Sequence, residues 1–458
     1  MRATSSSTNL GAGAKSDFAA GRVAGRQATI ALAGLLCLES IFFAIYRLGD
    51  LKLYVVETMA LGLAAGVVYL LVIFALEHTV ESRRTLWLVL AGALIFRLTL
   101  LPLMPSLSDD LYRYQWEARI QVAGLSAYRV APADPAAVAL RGPAWRRIPG
   151  PGLGAIYPPL TELIFRGIGS VSTALFAFKL PLMAAEWLVV GLLAFLLRAT
   201  GKRMSLLAVY AWNPLVVVES AASGHNDALA VAALLAALLL IIRRKPMLST
   251  LALTAAVLTK LFPVVLAPLW LRLIGWPRKP RAWAAVMGSA LFALACVWPY
   301  RNDLTVIVRT LREFGDSFID NASLFLVLRW LTGSIAWARR IGEVVVAGLA
   351  VAVAARKLDP LRAAYLLFGA ILLLSQNTFS WYFVWIVPLL CFFPHPAWLL
   401  LTILQFLSYH VLIEYAAFDR FQFQPFFAWL CYGPPCAMLL WQWARGNVAR
   451  LRCRHGSQ

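Results

Sequence analysis

The chain has 458 residues, of which 61% are hydrophobic and 14% charged. A soluble chain of this length carries roughly a quarter charged residues, so a water-soluble globular protein is excluded. The net charge of +20 comes from 42 Lys and Arg against 22 Asp and Glu, and its clustering between apolar runs fits membrane topology rather than nucleic-acid binding.

Apolar runs near the ~20 residues that span a bilayer recur from about residue 27 to 445. They predict an all-α integral membrane protein, a polytopic helical bundle of about 12–14 spans. Residues 1–26 read as a polar cytoplasmic head, 27–445 as a single transmembrane domain and 446–458 as a basic cytoplasmic tail. The first run, about 27–46, has no obvious cleavage site and reads as a retained signal anchor. Spans at about 54–76 and 85–104 follow, then a long, more polar stretch over about 105–155 that belongs outside. The run 156–170 is broken by Pro158-Pro159 and reads as interfacial. Spans at about 176–197, 204–221 and 228–242 come next.

The stretch 246–276 begins and ends at basic clusters, so it crosses an even number of times, as a hairpin with Lys260 and Pro263 near its outer tip. A span at about 283–299 leads to a second outer loop, about 300–340, before five further runs near 341–355, 361–376, 381–394, 397–413 and 425–443. Both termini then face the cytoplasm. The clusters Arg83-Arg84, Lys202-Arg203, Arg243-Arg244-Lys245, Arg278-Lys279-Pro280-Arg281 and Arg356-Lys357 all fall inside, and both long loops outside. The six cysteines are scattered without metal or redox spacing, and no metal site is expected.

Four polar constellations fall on the outer side. The first loop opens with Ser108-Asp109-Asp110-Leu111-Tyr112-Arg113-Tyr114-Gln115-Trp116-Glu117. Adjacent carboxylates repel, which raises one pKa and suits a general base; an acidic helix N-cap accounts for the same pair. Tyr112, Trp116 and Arg119 share a helical face, the pattern of an interfacial helix or of an aromatic sugar platform. The second constellation is Gly224-His225-Asn226-Asp227, where a simple turn needs no His. The third is Lys260 in Thr259-Lys260-Leu261-Phe262-Pro263, placed to meet an anionic group or to snorkel. The fourth is Ser375-Gln376-Asn377-Thr378-Phe379-Ser380-Trp381-Tyr382. Glu162, Lys179, Glu186 and Glu219 are further ionisable groups in apolar surroundings, implying a polar cavity or mutual pairing.

In order along the chain, the acidic pair, Ala127-Tyr128-Arg129-Val130-Ala131-Pro132, Tyr157-Pro158-Pro159-Leu160, Trp212-Asn213-Pro214-Leu215, Gly224-His225-Asn226-Asp227, Lys260-Leu261-Phe262-Pro263 and Trp381-Tyr382 resemble the GT-C membrane glycosyltransferases. In particular they resemble the bacterial mannosyltransferases of glycosyltransferase family 87 and their relatives, over about residues 105–390. The resemblance implies transfer of a hexose, mannose in most members, from a polyprenyl-phosphate donor to an acceptor hydroxyl of a glycan or glycolipid. Transfer would invert the anomeric carbon at the outer face of a bacterial plasma membrane.

By the same resemblance a first-loop aspartate is the general base, Asp110 matching best and Asp109 next. Lys260 with an outer-loop Arg would hold the donor phosphate, and His225, Asn226 and Asp227 would line the pocket. Arg113, Tyr114, Tyr157, Trp381 and Tyr382 complete the substrate-binding candidates. One departure stands out: family members often carry His-Pro where this chain has Phe379-Ser380. No cofactor beyond the lipid-linked sugar substrate is expected. A flippase for lipid-linked sugars would use similar charges, but it predicts internal repeats and charges spread through the spans. A polysaccharide polymerase or ligase is the other alternative.

Overall fold

The computed structural model describes residues 10–77, 81–317, 319–418 and 423–455. The ends of the expected head and tail, residues 1–9 and 456–458, lie outside the described residues, as do the side chains of 10–25 and 446–455. Among the described residues every regular element is helical. Helices α1 (Leu10–Leu48), α2 (Val55–Glu77) and α3 (Arg83–Leu100) lead into α4 (Asp110–Val122) and α5 (Pro159–Val171). Then come α6 (Leu175–Ala199), a bent pair Met204–Ala211 and Pro214–Ala222, α7 (Asp227–Ile242), α8 (Pro246–Thr259) and the short Phe262–Ile274. Helices α9 (Pro280–Val297), α10 (Leu304–Ser317), α11 (Leu324–Thr332), α12 (Ile335–Ala355) and α13 (Pro360–Leu374) follow. The chain ends with Ser380–Leu390, α14 (Pro396–Phe418) and α15 (Pro425–His455).

Local sequence explains many of the boundaries. Pro159, Pro246, Pro280, Pro360 and Pro425 open α5, α8, α9, α13 and α15, where the missing N–H costs nothing. Asn213 stops one helix and caps the next: its Oδ1 accepts from the backbone N–H groups of Leu215 and Val216, and the pair bends by 57°.

Five helices are long and apolar enough to cross a bilayer, or six with the bent pair taken as one span. Three of the other expected spans are shorter: α7, α8 and α13 have 16, 14 and 15 residues. Such helices reach roughly 21–24 Å, against a hydrocarbon layer of ~30 Å. The start of α7 and the ends of α8 and α13 meet irregular backbone at 223–226, 260–261 and 375–379. Non-helical backbone at membrane depth is stable only when buried in protein or lining a cavity. Here it does both.

Close backbone approach and polar pairing hold the bundle. A Cβ on Gly92 would sit 2.9 Å from the buried Trp212 ring, and one on Gly66 1.9 Å from Ile403. Trp212 donates to the Val89 carbonyl at 2.8 Å, and Tyr69 to that of Val209 at 2.7 Å. Among the described residues the four expected ionisable groups do not pair with one another but meet other polar partners. Arg97 meets Glu186 at 2.5 Å with both side chains 1% exposed, and Lys179 donates to the carbonyls of Leu101 and Leu103 at the end of α3. Glu162 accepts from Gln121 at 2.9 Å.

One expectation for α4 changes. Its aromatic face reads in sequence as interfacial, yet Tyr112 and Trp116 are buried, in one cluster with Tyr128 and Tyr300. The reason is that α5, α6 and the folded first loop cover the helix on most sides, leaving it little surface for a bilayer.

Candidate active site

The acidic pair sits where α3 gives way to α4, and its two carboxylates part company. Asp109 is the residue before α4 and makes no side-chain cap bond. Its carboxylate instead accepts from Lys52 at 2.7 Å and from Arg147 at 3.0 Å. Asp110 is the first residue of α4, where unpaired N–H groups favour negative charge. Its Oδ2 accepts from the Tyr157 hydroxyl at 3.3 Å and lies 3.8 Å from His225 Nε2. Burial pushes the Asp110 carboxyl above the usual range; the charges of His225, Lys260 and Arg113 oppose that, and Asp227 adds to it.

Behind Asp110 stands a second carboxylate. The other nitrogen of His225, Nδ1, is 3.0 Å from Glu219 Oε2. Glu219 Oε1 also accepts from Ser380 and Tyr409, each at 2.5 Å. The imidazole is stacked on Trp381 with ring centroids 4.2 Å apart. Burial disfavours the imidazolium, but Glu219, then Asp110 and Asp227, outweigh it, and the His225 pKa is raised. The result is a carboxylate–imidazole–carboxylate row with its outer end at Asp110.

Lys260 is the cation on the other side. It breaks the chain between α8 and Phe262–Ile274 in an extended conformation. Its ammonium contacts Asp227 at 2.5 Å and Asn226 at 3.5 Å, and lies 5.2 Å from the Tyr382 ring centroid. Trp385 donates to the same Asp227 oxygen.

These groups surround a cavity of about 490 Å³. Asp110, Lys260, Tyr157, Trp381, Tyr382, Asp109 and Arg113 line it. His225, Asn226 and Asp227, expected on the wall, lie one layer back at 4%, 3% and 2% exposure, in contact with Asp110 and Lys260. Tyr114 is further back still, buried against Tyr157 and Phe165. Arg113 reaches the wall, but its guanidinium is taken up by the carbonyls of Pro149, Gly150, Leu153 and Gly154 and by Glu117 at 3.0 Å. Arg113 therefore shapes the first loop around the cavity. Burial, opposed by Arg113, leaves the Glu117 carboxyl at about 7.

Several participants escaped the sequence reading. Lys52 and Arg147 meet at Asp109 from 57 and 38 residues away, with no spacing signal to link them. Tyr409 and Trp385 sit in apolar helical runs and read there as core. Ser380, named in the fourth constellation and as a departure, holds Glu219 together with Tyr409.

Fold and site together define a multi-pass, all-α membrane protein whose charged, aromatic-walled cavity lies at one end of the bundle. The chain belongs to the alpha-(1->6)-mannopyranosyltransferase family, whose N-terminal-domain pattern matches residues 29–275. That stretch holds Asp110, His225 and Lys260 but stops before Ser380, Trp381 and Tyr409. The chain is also 33% identical over 146 residues to an alpha-(1->6)-mannopyranosyltransferase of Mycobacterium tuberculosis, a match covering 29% of this chain and 24% of the relative. The chain thus spans about a quarter of the length of the curated relative it matches.

Proposed function

We propose that this protein is an inverting mannosyltransferase that uses a polyprenyl-phosphate sugar as donor, with Asp110 as general base. The observation that carries the reading is the setting of Asp110: a cavity-facing carboxylate between His225 and Lys260, in a family of mannosyltransferases. In the proposed step the acceptor hydroxyl passes its proton to Asp110 while its oxygen bonds to the anomeric carbon. The bond from that carbon to the phosphate oxygen breaks, and the electron pair leaves with the lipid phosphate. One displacement inverts the centre and needs one base.

The leaving phosphate needs charge stabilisation rather than a proton. Lys260 lines the cavity for that task, and Lys52 and Arg147 share the single carboxylate of Asp109, an excess of positive charge beside the base. Asp109, the second candidate base, is on this reading an organiser of cations. A lipid-borne donor also accounts for a reaction cavity at the end of a membrane bundle. The site lies at the helix ends opposite the basic clusters, and the positive-inside rule supports an outer-face location.

The test is transfer, and slow donor hydrolysis, by detergent-purified protein given radiolabelled polyprenyl-phosphate mannose. Asp110→Asn is expected to lower both by about 10²–10⁴-fold. Asp109→Asn is expected to act mainly on donor KM. Equal retention of activity in both variants would remove the acidic pair from the chemistry.

A further inference from the structure

A third aspartate, Asp320, lines the cavity. Asp320 lies in the link between α10 and α11, outside the segment that the family pattern matches. It lines the same cavity as Asp110 and is 4% exposed. Its backbone is fixed by pairing with the 375–380 segment: Asp320 N–H donates to the Gln376 carbonyl at 3.2 Å, and Thr378 N–H donates to the Asp320 carbonyl at 3.0 Å. Its side chain is not used in the same way. Oδ1 has no hydrogen-bond partner among the described residues, and no described ion pair includes this carboxyl. A buried, unpaired carboxyl oxygen is costly, and its position on a cavity wall is what a ligand group would offset.

Aromatic side chains line the same cavity. His225 stacks on Trp381, and Trp381 stacks on Phe379 at 4.4 Å and 10°. Phe379 adjoins Thr378, the residue paired with Asp320. Trp381 and Phe379 are half-buried and line the cavity. Lys52, Arg147 and Lys260 pair instead with Asp109 and Asp227. A carboxyl in no described ion pair, in a cavity lined with aromatic rings, fits a neutral polyhydroxyl ligand and not a phosphate. Carboxylates accept strong hydrogen bonds from hydroxyls, and sugars present apolar C–H faces to aromatic rings.

We propose that Asp320 and the Phe379–Trp381 wall form the acceptor subsite, where Asp320 binds a hydroxyl of an acceptor carbohydrate whose reacting hydroxyl faces Asp110. This rests on the transferase reading and adds a specificity-determining residue to it. Burial, eased by one backbone hydrogen bond, leaves the Asp320 carboxyl at about 7, so near neutral pH it accepts or donates to a hydroxyl.

The test compares wild type, Asp320→Asn and Phe379→Ala, with a short α-(1->6)-linked mannose oligomer as acceptor and polyprenyl-phosphate mannose as donor. Transfer gives the acceptor KM, hydrolysis without acceptor reports donor use alone, and tryptophan fluorescence reads oligomer binding without turnover. Asp320→Asn is expected to raise acceptor KM and the oligomer dissociation constant by about 10- to 100-fold, with donor hydrolysis unchanged. Parallel loss of hydrolysis and transfer would overturn the subsite, since it would place Asp320 in folding or in donor chemistry. Unchanged acceptor KM and binding in Asp320→Asn would overturn it as well. A wild type that hydrolyses no donor would instead sink the transferase reading itself.

Discussion

At the scale of single residues, the two adjacent aspartates show how neighbours divide labour. Asp109 meets two cations and Asp110 meets an imidazole and a tyrosine, although the sequence presents them as a pair. Glu219 is the residue that makes this difference useful. It contacts His225 on the side away from Asp110 and thereby favours the imidazolium facing Asp110. The sign of the pH effect follows. With Asp110 as the proposed base, it accepts a proton only when ionised, so activity is expected above its pKa and lost below it. Burial has already raised that pKa, and His225 opposes the rise. Glu219→Gln weakens the imidazolium, lets the Asp110 pKa climb further and moves the acidic limb of kcat/KM to higher pH. Lys260, Asp227, Arg113 and Tyr157 also face Asp110 and stay in place in that variant. A merely structural role for Glu219 would lower kcat/KM evenly across the pH range, and that outcome would refute the row.

Helices and loops carry the next level, and here much was legible beforehand. The acidic pair, the tight turn at Gly224, with φ 73°, and the break at Lys260 are written in local residue types. Helix ends marked by Pro and Asn could be read for the same reason: capping is a short-range matter. The burial of α4 was not legible, because a helix that is aromatic and charged looks alike in an interface and under a folded loop. Arg113 decides the case by pinning four carbonyls of residues 149–154, and no periodicity encodes those contacts. Lys52 and Arg147 at Asp109 were hidden for the same reason. The loop that Arg113 pins also touches the chain at Gly154, where a Cβ would fall 2.2 Å from the Tyr128 carbonyl oxygen. That neighbour is backbone and cannot rotate away. Gly154→Ala is therefore expected to destabilise the protein by about 1–3 kcal/mol, read as a lower melting midpoint in detergent. An unchanged midpoint would show that the loop gives way freely and does not frame the cavity.

Across the whole molecule, charge and hydropathy act on opposite ends of the bundle. The basic clusters at 83–84, 202–203, 243–245, 278–281 and 356–357 lie at the helix ends opposite Asp110, Lys260 and the 375–380 segment. This two-sidedness needs no tertiary knowledge, since it comes from alternating the chain across a bilayer. The depth of the site did need the structure, because it depends on α7, α8 and α13 stopping short of a full span. The combination makes a sharp prediction about sides. Arg146, in the first loop, and Lys245, between α7 and α8, are both exposed. In a background lacking the native cysteines, Arg146→Cys should react with a membrane-impermeant maleimide on intact cells. Lys245→Cys should react only after the membrane is opened. The reverse pattern would put the cavity on the cytoplasmic side, and the acceptor would then have to be a cytoplasmic glycan. Labelling of both positions from one side would contradict the helix alternation itself, since the two sites are separated by the chain crossing the layer an odd number of times.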